Sequence, residues 1–192
     1  SNHISDSSYD ENKRWPDGLS PFGFKVVKEM NKQGVMIDIS HVSDAAFMKV
    51  LELSDAPVVA THSSLRHFTP GWERNVSDEM LIALAENGGV IQLCFGSDFV
   101  ANRKDNPDIQ VSVKNVVDHI DRVRDLVGID HVGFGSDFDG EVPLPEDIND
   151  VSKFPNLIEE LLMRGYTESE IDKILNGNIL RVWKEVRALA DA

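Results

Sequence analysis

What most restricts the fold of this chain is a rhythm of short apolar runs separated by amphipathic stretches. Four β-branched runs stand out between turn residues: Val35 to Ile39, Pro57 to Ala60, Gly89 to Leu93 and His131 to Phe134. None alternates strictly between apolar and polar residues, which is the pattern of strands covered on both faces, as in a parallel sheet. Between them lie helical stretches. "SPFGFKVVKEMNKQ" offers Ser20 as N-cap, Pro21 at the first helical position, a stripe of Val26, Val27 and Met30, and Gly34 as the stop. "SDAAFMKVLEL" spaces Phe47, Val50 and Leu51 along one face, and "SDEMLIALAENGG" starts at a capping Ser77 and ends at Gly88. "VKNVVDHIDRVRDLVG" is longer and runs into Gly128. After the fourth run the rhythm stops, and residues 156–192 read as two or three helices, one opened by a capping box of Thr167 and Glu170.

Helices and strands in alternation specify an α/β fold whose parallel strands are joined by right-handed crossovers. About four βα units make half of a closed (β/α)8 barrel. An open doubly wound sheet is the rival, but no Gly-rich nucleotide fingerprint follows any run. "GFGSDFDG" has glycines, yet its carboxylates fall where a phosphate cradle needs backbone donors. We expect a single domain over 1–192: a polar leader over 1–18, βα units over 19–140 and C-terminal helices over 141–192.

Charge and cysteine usage exclude several classes. Nineteen Lys and Arg against 33 Asp and Glu give a net charge of -14, which argues against a nucleic-acid surface and against an anionic membrane. The single cysteine, Cys94 in "GGVIQLCF", rules out an intrachain disulfide and a thiolate zinc cluster and reads as an inert core thiol. The longest apolar runs are too short to span a bilayer.

In parallel α/β folds, ligands gather at the carboxyl ends of the strands. His41 follows "VMIDIS" and His62 follows "PVVAT". Neighbouring strands lie about 4.8 Å apart, so two imidazoles at adjacent strand ends can converge on one cation. Each could equally cap its strand and bond a loop. Asp137 and Asp139 in "HVGFGSDFDG" lie just past the fourth run, where they could bind a cation, orient a histidine or form an Asx-type turn. Arg74 in "PGWERNVSDEM" can fork onto a carboxylate, or pair at the surface with Glu73 or Asp78. Phe95 reads as packing and Asp98 as a turn residue. His67 has a weak claim, His119 and His131 read as structural, and His3 lies in the leader without a second ligand at a recognisable spacing.

Together, "GLSPFGFKVVKEMNKQGVMIDISHVSD", "PVVATHSS", "RNVSDEML" and "HVGFGSDFDG", in that order, resemble the membrane (renal) dipeptidase family of zinc metallopeptidases. "NDVSKFPNLIEELLMRGYTESEIDKILNGNILRVW" is similar to that family's C-terminal region, and "ISDSSYD" gives the chain the texture of bacterial members. The resemblance implies a (β/α)8 TIM barrel with two zinc ions bridged by a glutamate. It implies hydrolysis of dipeptides by metal-activated water, often with a D-residue at the C-terminal position. Carried over, His41 and His62 are imidazole ligands of one zinc, Arg74 binds the substrate carboxylate, and Asp137 holds the substrate amino group and steers the attacking water.

Other features of the family have no counterpart here. Its His-x-Asp ligand pair, bridging glutamate and intermediate-stabilising histidine fall upstream of Ser1, and His3 does not match that histidine's place. Phe95 stands where the family has a polar aromatic. The chain is therefore expected to be the C-terminal half of such an enzyme, inactive alone. Its partners would be a dipeptide, the missing N-terminal half of the barrel and, through open strand edges, a second copy of itself. No nucleic acid or membrane insertion is expected, and the bacterial texture suggests a cytoplasmic location. Two alternatives stay open: a non-catalytic α/β binding or assembly module, and a metallohydrolase of another amide such as a lactam.

Overall fold

The structure, a computed structural model, describes residues 2–140 and 142–190. Three parallel strands, β1 (Val59–Ser63), β2 (Val90–Leu93) and β3 (Val132–Phe134), form a sheet in that order. The first expected run, Val35 to Ile39, lies beside β1 but does not become a full strand. Ile39 N–H donates to Val59 O at 2.8 Å and Val59 N–H to Ile37 O at 3.0 Å, with a single parallel bridge at Asp38. The reason is local. The Asp38 carboxylate takes the Thr61 N–H at 3.0 Å, the donor that would continue the ladder to Ile39 O, and His41 turns to a φ of 68°.

Helices α1 (Pro21–Lys32), α2 (Asp44–Leu53), α3 (Asp78–Glu86), α4 (Ser97–Val100) and α5 (Val113–Val127) precede or link the strands. Then come α6 (Phe154–Met163), α7 (Glu168–Asp172) and α8 (Asn178–Ala190), the last two joined by a π turn at Lys173–Gly177. Their starts follow from local chemistry. Ser20 accepts the Gly23 N–H, Ser77 accepts the Met80 N–H, and Thr167 with Glu170 forms the reciprocal box. The expected final helix runs to residue 192, of which 191 and 192 lie outside the described residues.

The absence of alternation in the runs is explained by packing on both faces. Ala60, Ile91 and Leu93 belong to the main core with Leu81 and Leu84 of α3 and Val116, Ile120 and Val123 of α5. Val59 and Val90, one residue out of phase, pack instead with Val182 and Val186 of α8. Burying each of the Val, Ile and Leu side chains stabilises by roughly 1.5–3 kcal/mol. Asn178, at the start of α8, anchors that helix to the sheet by donating to Ile129 O at 2.7 Å and Val132 O at 2.8 Å.

The leader, read from its composition as loop, is tied down. Asp6, fully buried, accepts N–H groups from Arg14 (3.0 and 2.9 Å) and Trp15 (2.8 Å). Ser5 bridges to Leu19 and Ser7 to Val42. Among the described residues no helix is long and apolar enough to cross a membrane.

Candidate active site

β1 does not end regularly. Ala60 pairs with Ile91 and Ser63 with Leu93, so three steps on β1 span two on β2 and one residue is extra. Such a bulge turns side chains out of the ordinary alternation and is common beside functional sites. It brings Thr61 Oγ1 to 2.8 Å from Nδ1 of the next residue, His62. On the other side His41, in the left-handed region at φ 68°, faces the same point, and the two Nε2 atoms lie 2.8 Å apart. The sheet thus brings together the two histidines singled out by the sequence.

Hydrogen-bond partners assign the ring protons. The Asp38 carboxylate only accepts, and it takes the Thr61 hydroxyl at 2.6 Å and the Thr61 N–H at 3.0 Å. Burial works against the Asp38 charge, but bonds from Thr61 and Ser40 outweigh it and hold the carboxyl below its usual range. With its proton committed to Asp38, the Thr61 oxygen accepts from His62 Nδ1–H, which leaves a lone pair on His62 Nε2. Arg74 Nη2, a pure donor, lies 3.2 Å from His41 Nε2, so a lone pair sits there as well. Burial first, then the charges of Arg74 and His62, depress His41 to a pKa of about 4, so the ring is neutral at pH 7. Two imidazole acceptors facing each other, one backed by a hydroxyl and a carboxylate, is the arrangement metal-binding histidines adopt. The donor chemistry therefore fits zinc, though as a pair only. Among the described residues no group of three or more His, Cys, Asp or Glu side chains is placed to hold a metal.

Arg74 is not the surface ion pair that its neighbours suggested. Glu73 pairs with Lys13 and accepts the Asp44 N–H, while Asp78 pairs with Arg122. Arg74 is 3% exposed and turns inward, donating to Ser63 Oγ at 2.8 Å and to the His62 carbonyl, with its guanidinium 5.3 Å from the Phe99 ring centroid. The loop is held in this shape by Asn75, fully buried, which donates to Thr69 Oγ1 at 2.7 Å and Phe99 O at 2.8 Å.

Asp137 completes the group from the end of β3, and its charge acts on both His41 and Arg74. Its backbone is also left-handed, at φ 62°, and the Gly140 N–H returns to its carbonyl at 3.1 Å. A Cβ on Gly140 would lie 2.4 Å from Asp137 Oδ1, so glycine there gives the carboxylate its room. The Cys94 thiol reaches Asp137 Oδ2 at 3.8 Å; burial, with Asp137 adding to it, pushes the thiol up to about 12, which keeps it protonated. Phe95 is fully buried among Phe134, Phe138 and Phe154. Asp139 stays in the turn, and Asp98 starts a short helix and pairs with Arg103.

The remaining histidines are structural where their contacts are seen. His119 is fully buried between the Leu65 N–H and the Val100 carbonyl, and His131 bonds the Gly89 carbonyl at 2.8 Å. Reading the sequence missed Asp38, Thr61, Asn75 and Tyr9, the last with its ring centroid 5.9 Å from that of His41. Asp38 alone carried a local signal, as a charge inside an apolar run. None of His41, His62, Arg74 and Asp137 lines the cleft of about 460 Å³ beside Trp72 and Arg103.

A parallel sheet that gathers two imidazoles, a buried guanidinium and a carboxylate at its strand ends has the layout of an α/β-barrel hydrolase. Comparison with known proteins identifies the family. Residues 1–192 match the family described as Membrane dipeptidase (Peptidase family M19), and the chain belongs to it. That family is zinc-dependent. Among solved structures, the chain is similar to the probable dipeptidase PvdM from Pseudomonas aeruginosa, at 30% identity and a TM-score of 0.88, over 98% of this chain and 61% of that one. It is also similar to a metallo peptidase from Rhodobacter sphaeroides liganded with a phosphinate mimic of the dipeptide L-Ala-D-Ala, at 35% identity and a TM-score of 0.81, over 88% and 48%. An amidohydrolase from Pseudomonas aeruginosa matches at 29% identity and a TM-score of 0.84, over 98% and 62%. The chain thus spans about half to three-fifths of the length of these TIM-barrel relatives.

Proposed function

We propose that these residues form the C-terminal part of the active site of a zinc-dependent dipeptidase. The observation that supports this most is the pair of Nε2 lone pairs on His41 and His62, converging at 2.8 Å with Asp38 and Thr61 fixing the His62 tautomer. A zinc ion there would supply a water of lowered pKa at neutral pH. The chain's own groups would do the rest. Arg74 would attract the substrate carboxylate, and Asp137, across the mouth, the substrate ammonium, so that both free ends are gripped and only a dipeptide fits. Positioning of this kind raises the rate by orienting the scissile bond. The dipeptide mimic in the Rhodobacter sphaeroides relative supports a substrate with a D-residue at the C-terminal position.

Two imidazoles are one ligand short of a catalytic zinc site, so these residues alone would leave dipeptides uncut, and sequence upstream would supply the other ligands. The test uses the full reading frame. Zinc-loaded protein should hydrolyse L-Ala-D-Ala, lose activity to a chelator and lose it in His62→Ala. A full-length protein inert towards dipeptides but active on a lactam, or on nothing, would overturn the reading.

A further inference from the structure

Tyr9 lies in the leader, far in sequence from the four site residues, yet the structure delivers it to the mouth. Ser7 pairs antiparallel with Val42, Ser8 N–H donates to His41 O at 2.8 Å, and Tyr9 N–H donates to Ser7 Oγ at 3.2 Å. These bonds fix the backbone on both sides of His41 and set the Tyr9 ring 5.9 Å from the imidazole, with the residue still 56% exposed. The charges of Arg74 and Asp137 both act on the Tyr9 phenol. An exposed aromatic held beside His41, whose Nε2 the buried Arg74 faces at 3.2 Å, is placed to meet a ligand before that cation does.

A donor count gives the phenol its role. A guanidinium has five N–H groups and no acceptor. Arg74 gives one Nη1 hydrogen to Ser63 Oγ and one Nη2 hydrogen to the His62 carbonyl; its second Nη2 hydrogen faces His41 Nε2, the nitrogen that zinc would take. Its Nε is buried with no partner among the described residues. With zinc on His41, one N–H on each terminal nitrogen is therefore all that is open to a ligand. Because Arg74 can only donate, any bond it makes to Tyr9 ends on the phenol oxygen and leaves the phenol O–H free to donate outward. A phenol keeps its proton at neutral pH, so that donor is available.

We propose that Tyr9 is a substrate-binding residue of this site, its phenol O–H donating to the carboxylate end of the ligand that Arg74 attracts. This rests on the dipeptidase reading and narrows it to substrates with a free C-terminal carboxylate. The test compares Tyr9→Phe with wild type in the full-length enzyme, on a dipeptide and on the same dipeptide amidated at its C-terminus. A hydrogen bond to a charged group corresponds to roughly tenfold or more in binding. Tyr9→Phe should raise KM for the free acid by about tenfold with kcat held within about twofold, and leave kcat/KM for the amide unchanged. An unchanged KM for the acid overturns the proposal, and so does an equal loss on acid and amide, which would make Tyr9 a packing residue. If wild type cleaves the acid and Tyr9→Phe matches it, only the role of Tyr9 falls. If wild type cleaves neither, the dipeptidase reading falls and takes this proposal with it.

Discussion

His119 offers a stability test that is independent of any substrate. It is fully buried in α5, accepts the Leu65 N–H on Nδ1 at 3.1 Å, and donates from Nε2 to Val100 O at 3.1 Å. The Leu65 contact requires the neutral ring, because a protonated Nδ1 cannot accept, and burial, against the pull of the Val100 carbonyl, depresses its pKa from 6.5 to about 4. Above pH 6.5 the folded and unfolded chains hold the same number of protons on this ring. As pH falls from 6.5 towards 4, the unfolded chain takes up a proton that the folded one refuses, so stability drops. Linkage gives a loss of about 2 kcal/mol between pH 7 and pH 5, and about 3 kcal/mol once pH passes below 4. Urea unfolding of wild type and His119→Gln at pH 7 and pH 5 reads this directly. Gln can serve the same donor and acceptor without titrating. His41, whose pKa is also depressed, is common to both proteins and cancels in the comparison. Wild type should lose about 2 kcal/mol more than His119→Gln over this interval. Parallel pH dependences would refute the reasoning.

Two further substitutions probe the site from behind. Thr61→Val keeps shape but removes the hydroxyl between Asp38 and His62 (2.6 and 2.8 Å); zinc affinity of the full-length protein, measured by chelator competition, should fall about 10- to 100-fold, and an unchanged affinity would sever the relay from metal binding. Gly140→Ala places a methyl 2.4 Å from Asp137 Oδ1, the movable end of a side chain; denaturant stability should change by less than about 1 kcal/mol while kcat/KM for a dipeptide drops at least tenfold, and an active variant would show that Asp137 tolerates displacement.

How far the sequence anticipates the structure depends on the range of the interactions involved. Ser20, Ser77 and Thr167 cap the helices they were expected to cap, because a cap is settled within three residues. The non-alternating runs at β1 to β3 likewise reflect cover on both faces, which composition records. The run at 35–39 has the composition of a strand but does not become one in full, since Asp38 diverts the Thr61 N–H from the ladder. The inward turn of Arg74 was hidden for the opposite reason. It depends on Asn75 reaching Phe99 across 24 positions, whereas Glu73 and Asp78 stand beside it in the chain. Tyr9 was equally hidden, because the leader's course is set by Asp6 and by a bridge to Val42.

The same contrast explains why the histidines were found and their support was not. A strand end marks where an imidazole emerges, but not which nitrogen it presents. That is decided by the extra residue between Ala60 and Ser63, which turns Thr61 and His62 toward each other. It is decided also by Asp38, reaching across from the neighbouring segment to hold the Thr61 proton. His41 and Asp137, facing the same mouth, both occupy the left-handed region that non-glycine residues adopt at a cost of about 1 kcal/mol or more. The residue after each, Val42 and Phe138, packs against the core, so the turn lets the chain bury one side chain and aim the one before it at the mouth. The strain falls on two of the four residues chosen for their chemistry.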